Sequence, residues 1–156
     1  DNWHTENLCL IGDAAHAIVP FFGQGMNASF EDCNILMDCI KDGDGNWHKI
    51  FESYNKIRKP DADAIANMAI ENYIEMRDSV AQSDYIQRKK YANALFEKFP
   101  NRFIPRYNMV SFTSIPYSQV YKRGEIQQEI ITELMSSEVD LCKAEQLIEE
   151  KLPLLT

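Results

Sequence analysis

No Gly-x-Gly-x-x-Gly turn occurs anywhere in this 156-residue sequence, so the usual backbone cradle for a dinucleotide pyrophosphate is missing from it. Metal and redox spacings are missing too. The four cysteines, Cys9, Cys33, Cys39 and Cys142, form no Cys-x-x-Cys pair, and the three histidines form no His-x-x-x-His. No metal site is expected. The cysteines sit inside apolar patterns, which favours reduced, buried thiols and a cytoplasmic setting over a disulfide framework. No apolar run approaches the ~20 residues a bilayer span needs, and the opening residues lack the charged-then-apolar order of a secretory leader. Positive charge is short. Sixteen Lys and Arg face 24 Asp and Glu, and a net charge of −8 repels nucleic acid and anionic membrane alike. The expected partner is a small molecule or another protein.

With 45% hydrophobic and 26% charged residues, the composition is that of a globular chain large enough to bury one core. Its most informative stretch runs from Leu8 to Asn27. Leu8 to Ile11 is a four-residue apolar run, too short for a helix, and predicts a strand buried on both faces. Gly12 leaves room for close approach, and Asp13 puts a carboxylate at the strand's carboxyl end, where open α/β sheets bind ligands. That acid suits sugar-type hydroxyls. Gly23 and Gly25 bracket Gln24 and allow positive φ just before a helix predicted over 25–41. The first-turn amides of that helix, Met26 and Asn27, present unpaired N–H groups and the positive end of the dipole to an anion.

Beyond this stretch the pattern is helical. Met26, Phe30, Cys33, Met37 and Ile40 form one stripe, expected to pack on the strand. Asp42-Gly43-Asp44-Gly45-Asn46 fails as a calcium loop, because the sixth position is Trp47 and the twelfth Ser53; it reads as a glycine stop with Asn46 capping the next helix. That helix, 47–58, carries Trp47, Ile50, Phe51, Tyr54 and Ile57 on one side and is expected to end at Lys59-Pro60. A new helix follows over 61–82. Its stripe of Ile65, Ala69, Met76 and Val80 is interrupted by Asn72, and a buried amide without partners costs about 1–3 kcal/mol. Asn72 must therefore meet either a neighbouring helix or a ligand. A further helix is predicted over 83–98, extended or irregular chain over 103–117, and a polar helical hairpin over 125–135 and 138–150. His16 reads as a small-pocket histidine beside the glycine motif, since nothing in the sequence supplies the orienting partner a general base needs.

Gly12-Asp13-Ala14-Ala15-His16, Pro20-Phe21-Phe22-Gly23-Gln24-Gly25-Met26-Asn27 and Phe30-Glu31-Asp32-Cys33 together resemble the second FAD-binding motif of the aromatic-ring flavoprotein monooxygenases. Asn72-Tyr73-Ile74-Glu75-Met76-Arg77 and Phe103-Ile104-Pro105-Arg106-Tyr107-Asn108-Met109-Val110 narrow the resemblance to the kynurenine-hydroxylating family. It covers roughly residues 7–117 and then fades. It implies FAD as cofactor, NADPH as reductant, O2 as co-substrate and L-kynurenine as substrate, with no catalytic side chain needed because the cofactor carries the hard chemistry. By that resemblance Asp13, Gly25, Met26 and Asn27 hold FAD. Pro20, Phe22 and Gln24, with Phe21, line the space between flavin and substrate, while Asn72 and Tyr107 bind the substrate's amino-acid end.

The fold class expected is mainly α with short β segments: the carboxyl-terminal part of an α/β FAD-dependent monooxygenase, separated from its glycine-rich turn. Its organisation divides into 1–42, completing the FAD-binding domain; 43–117, a helical and extended substrate-side region; and 118–156, a helical hairpin. The missing amino-terminal half is the expected macromolecular partner, and the isolated chain is expected to be inactive. Two alternatives stay open on the residues alone. One is a related FAD-dependent hydroxylase or reductase with another substrate, which has no use for Asn72 and Tyr107. The other is a non-catalytic helical fragment.

Overall fold

A computed structural model describes residues 2–78, 83–136 and 141–155. Val80, Glu138 and Val139, and the side chains of Leu141 and Cys142, lie outside what is described. Among the described residues seven helices follow in order: α1 (Asp13–His16), α2 (Gly25–Asp42), α3 (Trp47–Asp78), α4 (Ser83–Lys98), α5 (Arg106–Phe112), α6 (Tyr117–Ser136) and α7 (Leu141–Lys151). The chain divides into two compact units, Asp1–Tyr73 and Ile74–Thr156.

In the first unit the predicted buried strand is absent. The opening residues double back on themselves, with the Thr5 amide on the Leu8 carbonyl at 2.8 Å and the Leu10 amide on the Trp3 carbonyl at 2.8 Å. A single antiparallel bridge, His4 to Cys9, is the only isolated β feature among the described residues. A strand buried on both faces needs neighbours on both sides; with none here, Leu8, Leu10 and Ile11 stay exposed.

Helix α2 corrects the expected stripe. Met26, Phe30, Cys33 and Met37 face outward, and Ala28, Asp32 and Cys39 are the buried residues. A carboxylate has displaced the apolar face because its partners lie on the inner side. Cys33 is accordingly exposed, while Cys9 is half-buried and Cys39 buried; all three are free thiols. Gly43 ends α2 with an ordinary φ of −84°, and the left-handed positions fall at Asp44 and Gly45 instead. Gly43 is required for packing, since a Cβ there would land inside the Ile50 side chain. The Asn46 Oδ1 accepts the Lys49 amide at 3.1 Å, the cap expected for α3.

Pro60 does not divide α3, which runs through it. A proline inside a helix removes one donor and crowds the preceding turn, yet Ile50, Tyr54, Arg58, Ala62 and Ile65 form a continuous buried row across it. Tertiary anchoring on both sides outweighs the local penalty. Trp47 and Ile57, expected on the inner face, are exposed. The apolar core of this unit gathers Trp3, Cys39, Ile50, Tyr54 and Ala62.

The second unit is a helical cluster in which α6 packs against α4, α5 and α7. Its core holds Leu95, Phe103, Ile130, Ile131, Leu134, Ala144, Ile148 and Leu152. The segment expected to be irregular over 103–117 contains α5, whose first turn closes when the Met109 amide meets the Pro105 carbonyl at 3.1 Å. Pro105 lies just before the helix, where its missing N–H costs nothing, and burial of Met109 and Val110 anchors α5, overriding the weaker helix preference of Val110. Helix α6 begins at Tyr117, eight residues before the expected start. Helix α7 packs on α6, and the turn of the expected hairpin lies outside the described residues.

Candidate functional site

The Gly-Asp motif is held from below by one buried carboxylate. Asp32 on α2 is wholly buried, and its Oδ2 accepts the Gly12 amide at 2.8 Å and His16 Nε2 at 2.6 Å. Its Oδ1 accepts Arg58 Nε at 2.5 Å. Arg58 is itself 1% exposed; it also donates to the Ala28 carbonyl at 3.0 Å and pairs with Glu31 at 2.9 Å. Buried charges survive only when paired and hydrogen-bonded. Burial alone would raise the Asp32 pKa, but the bonds from His16, Arg58 and the Gly12 amide hold it below the ordinary carboxylate value. The Trp3 ring lies 5.3 Å from the His16 ring and 6.2 Å from Tyr54. Burial, then the Asp32 charge, pushes the Tyr54 phenol up.

This arrangement fixes Gly12 at a φ of 57°, from which α1 departs with Asp13 as its first residue. Asp13 is exposed and stands in the acidic first turn of α1, while His16 turns inward. His16 therefore does have an orienting partner, Asp32, that the sequence did not reveal.

The second half of the motif is a tight loop. Pro20 is exposed, Phe21 and Phe22 are half-buried, and Gly23 takes a φ of 66°. Gln24 is buried rather than open: its Oε1 accepts Asn27 Nδ2 at 2.9 Å, and its Nε2 reaches the Phe22 carbonyl at 3.4 Å. It is the side chain that shapes the loop. Helix α2 then starts at Gly25 with no side-chain cap and no acid in its first turn. Nothing lies within 4 Å of where a Gly25 Cβ would be, and Met26 is 68% exposed. An uncapped first turn under open space is a donor site for an anionic or electron-rich ring edge.

Asn72 reaches this loop from α3. Its Nδ2 donates to the Phe21 carbonyl at 2.9 Å, and the Phe21 ring packs on Tyr73 at 4.7 Å. One Nδ2 hydrogen is thus on a carbonyl, and the Asn72 Oδ1 is the acceptor end of the same amide. Tyr107 belongs to the second unit, on α5, where it is 55% exposed with its ring 6.2 Å from Phe112. The structure thus joins Pro20–Asn27 and Asn72 around one loop.

Residues 1–69 match the family model described as "FAD binding domain". Nearly the whole chain also aligns with proteins named kynurenine 3-monooxygenase. It is 44% identical to that of Myxococcus xanthus over 96% of this chain, and 49% identical to that of Cytophaga hutchinsonii over 86%. Identity to the Dictyostelium discoideum protein is 41% over 96% of the chain. Over these stretches the chain is similar to proteins named kynurenine 3-monooxygenase. It spans about a third of the length of these curated relatives, 33%, 30% and 36% respectively. Among the described residues no group of His, Cys, Asp and Glu could hold a metal, and no helix is long and apolar enough to cross a membrane.

Proposed function

We propose that this chain is the carboxyl-terminal portion of an FAD-dependent monooxygenase that hydroxylates L-kynurenine to 3-hydroxykynurenine with NADPH and O2, in a reduced cytoplasmic setting. The observation that carries this reading is the Asn72–Phe21 hydrogen bond at 2.9 Å. It ties a side chain suited to an amino-acid ammonium to the loop that opens onto the first turn of α2.

The flavin, when bound, supplies hydride acceptance from NADPH and the activation of O2. This chain supplies the surroundings. Asp13 accepts hydroxyls of the ribityl or pyrophosphate region. The Gly25, Met26 and Asn27 amides donate to the pyrimidine edge of the ring, where reduction builds negative charge and preorganised N–H groups are most effective. Phe21 and Phe22 keep water from the space where oxygen is transferred, with Pro20 and Gln24 setting the wall they stand on. The Asn72 Oδ1 accepts the substrate ammonium, and the Tyr107 hydroxyl donates to its carboxylate. The apolar surface of Leu8, Leu10, Ile11, Phe30 and Met37, exposed in this chain, is covered by the remainder of the FAD-binding domain. Without that remainder the chain does not turn over.

The complete gene product is expected to be yellow and to oxidise NADPH faster when L-kynurenine is added. A colourless protein, or one indifferent to L-kynurenine, overturns the proposal. Asn72→Ala is expected to raise the KM for L-kynurenine about tenfold with FAD still bound. Loss of FAD at unchanged KM would place Asn72 elsewhere in the reaction.

A further inference from the structure

Between α4 and α5 the stretch 101–105 forms no helix, so its carbonyls need partners from outside. They have them. The Arg123 guanidinium donates to the Arg102 carbonyl, Gln127 Nε2 to the Ile104 carbonyl at 2.8 Å, and the Leu155 amide to the Asn101 carbonyl at 3.2 Å. Arg123 makes a second bond to the Pro153 carbonyl at 2.7 Å, and Arg102 donates to the Leu152 carbonyl at 2.9 Å. Two side chains on one face of α6, four residues apart, therefore read the backbone of 101–105, and the tail over 152–155 closes the other side.

Both α6 side chains are buried, Arg123 at 8% and Gln127 at 4% exposure. Gly124 lies between them, and a Cβ there would come within 2.5 Å of Arg106 Nε, so the first residue of α5 rests directly on the α6 backbone. The Pro105 carbonyl then starts α5. Tyr107 stands two residues beyond the pinned stretch, on the first turn of α5. The carbonyls behind it, together with the buried Met109 and Val110, set where that turn begins. The apolar core already buries Phe103; side-chain donors on individual carbonyls add what apolar burial cannot, a fixed axial and rotational setting.

We infer that Arg123 and Gln127 are positioning residues for Tyr107, acting through the backbone of 101–105 to set where its hydroxyl meets the carboxylate of the amino-acid substrate. The inference rests on the substrate role proposed for Tyr107. The test is steady-state kinetics of the flavin-loaded complete enzyme carrying Gln127→Leu, Arg123→Lys, Tyr107→Phe, or Gln127→Leu with Tyr107→Phe. Gln127→Leu is expected to raise the KM for L-kynurenine about tenfold, the size of one lost hydrogen bond, with kcat and FAD content held. Arg123→Lys, which keeps a donor, is expected to raise it less.

Because Gln127 acts through Tyr107, the double variant is expected to lose no more than Tyr107→Phe alone. A full sum of the two single effects, or an unchanged KM in Gln127→Leu beside a raised one in Tyr107→Phe, overturns the positioning role. An unchanged KM in Tyr107→Phe overturns the substrate role beneath it. Hydrogen exchange of the α5 amides separates the two: faster exchange in Gln127→Leu is expected if the clamp exists, and unchanged exchange removes the clamp whatever the kinetics.

Discussion

The two units hold non-helical backbone in place by opposite chemistry. In the first, a buried acid collects donors: Asp32 takes an amide, an imidazole and a guanidinium, and so fixes Gly12 and the start of α1. In the second, buried donors collect carbonyls: Arg123 and Gln127 fix 101–105 and the start of α5. An acid hub draws its strength from charge and is exposed to protonation. A set of side-chain donors on carbonyls is not, since neither guanidinium nor carboxamide titrates in acid.

Both tryptophans, Trp3 and Trp47, lie in the first unit, so their fluorescence reads it selectively. The largest effect is expected from Arg58→Met, which leaves the Asp32 charge buried without its guanidinium and is expected to cost about 3–5 kcal/mol in denaturant titrations followed by tryptophan emission. A cost under about 1 kcal/mol would mean the acid is held by His16 and Gly12 alone.

Acid is the next way to separate the units. The folded pKa of Asp32 lies below its unfolded value, so its contribution is complete above the ordinary carboxylate range. As pH falls through that range toward the lowered folded value, the unfolded chain takes up the proton first and stability is lost. Tryptophan-detected stability should fall there. Asp32→Asn, which keeps the shape and cannot titrate, should flatten that fall; an equally steep fall in the variant would assign it to other carboxylates.

Smaller effects belong to packing. Gly43→Ala must displace the Ile50 side chain, and about 1–3 kcal/mol is expected from overpacking in the first unit. Ile148→Val removes one buried methylene from the core of the second and should cost about 0.5–1.5 kcal/mol in a thermal melt, with no dependence on acid.

Much of this was readable from the residues. The boundaries of α2 and α4 and the Asn46 cap followed from periodicity and capping chemistry. Asn72 stood out as one amide in an expected apolar stripe, but Met76 of that stripe is exposed and the amide meets a loop carbonyl rather than a neighbouring helix. What the sequence concealed was long-range. Nothing local marked Asp32 as a hub, because its partners, Gly12, His16 and Arg58, lie up to 26 residues away. The same separation hid the orienting partner of His16 and let Met26, Phe30 and Met37 pass for a core face. Pro60 and Pro105 misled for one reason: local proline rules describe an isolated chain, and here buried rows on either side of each proline decide the backbone. Arg123 and Gln127 carried no signal, since nothing in a polar helix marks which side chains will meet a carbonyl.

Helix α3 works as a ruler. Arg58, gripped by the acid beneath the glycine motif, and Asn72, gripping the loop after it, stand fourteen positions apart on one unbroken rod, about 21 Å along its axis. One added or deleted residue between them would swing the amide by about 100° around that rod and break its hold on Phe21. Evolution can repaint the exposed sides of this segment freely, but it cannot change the count.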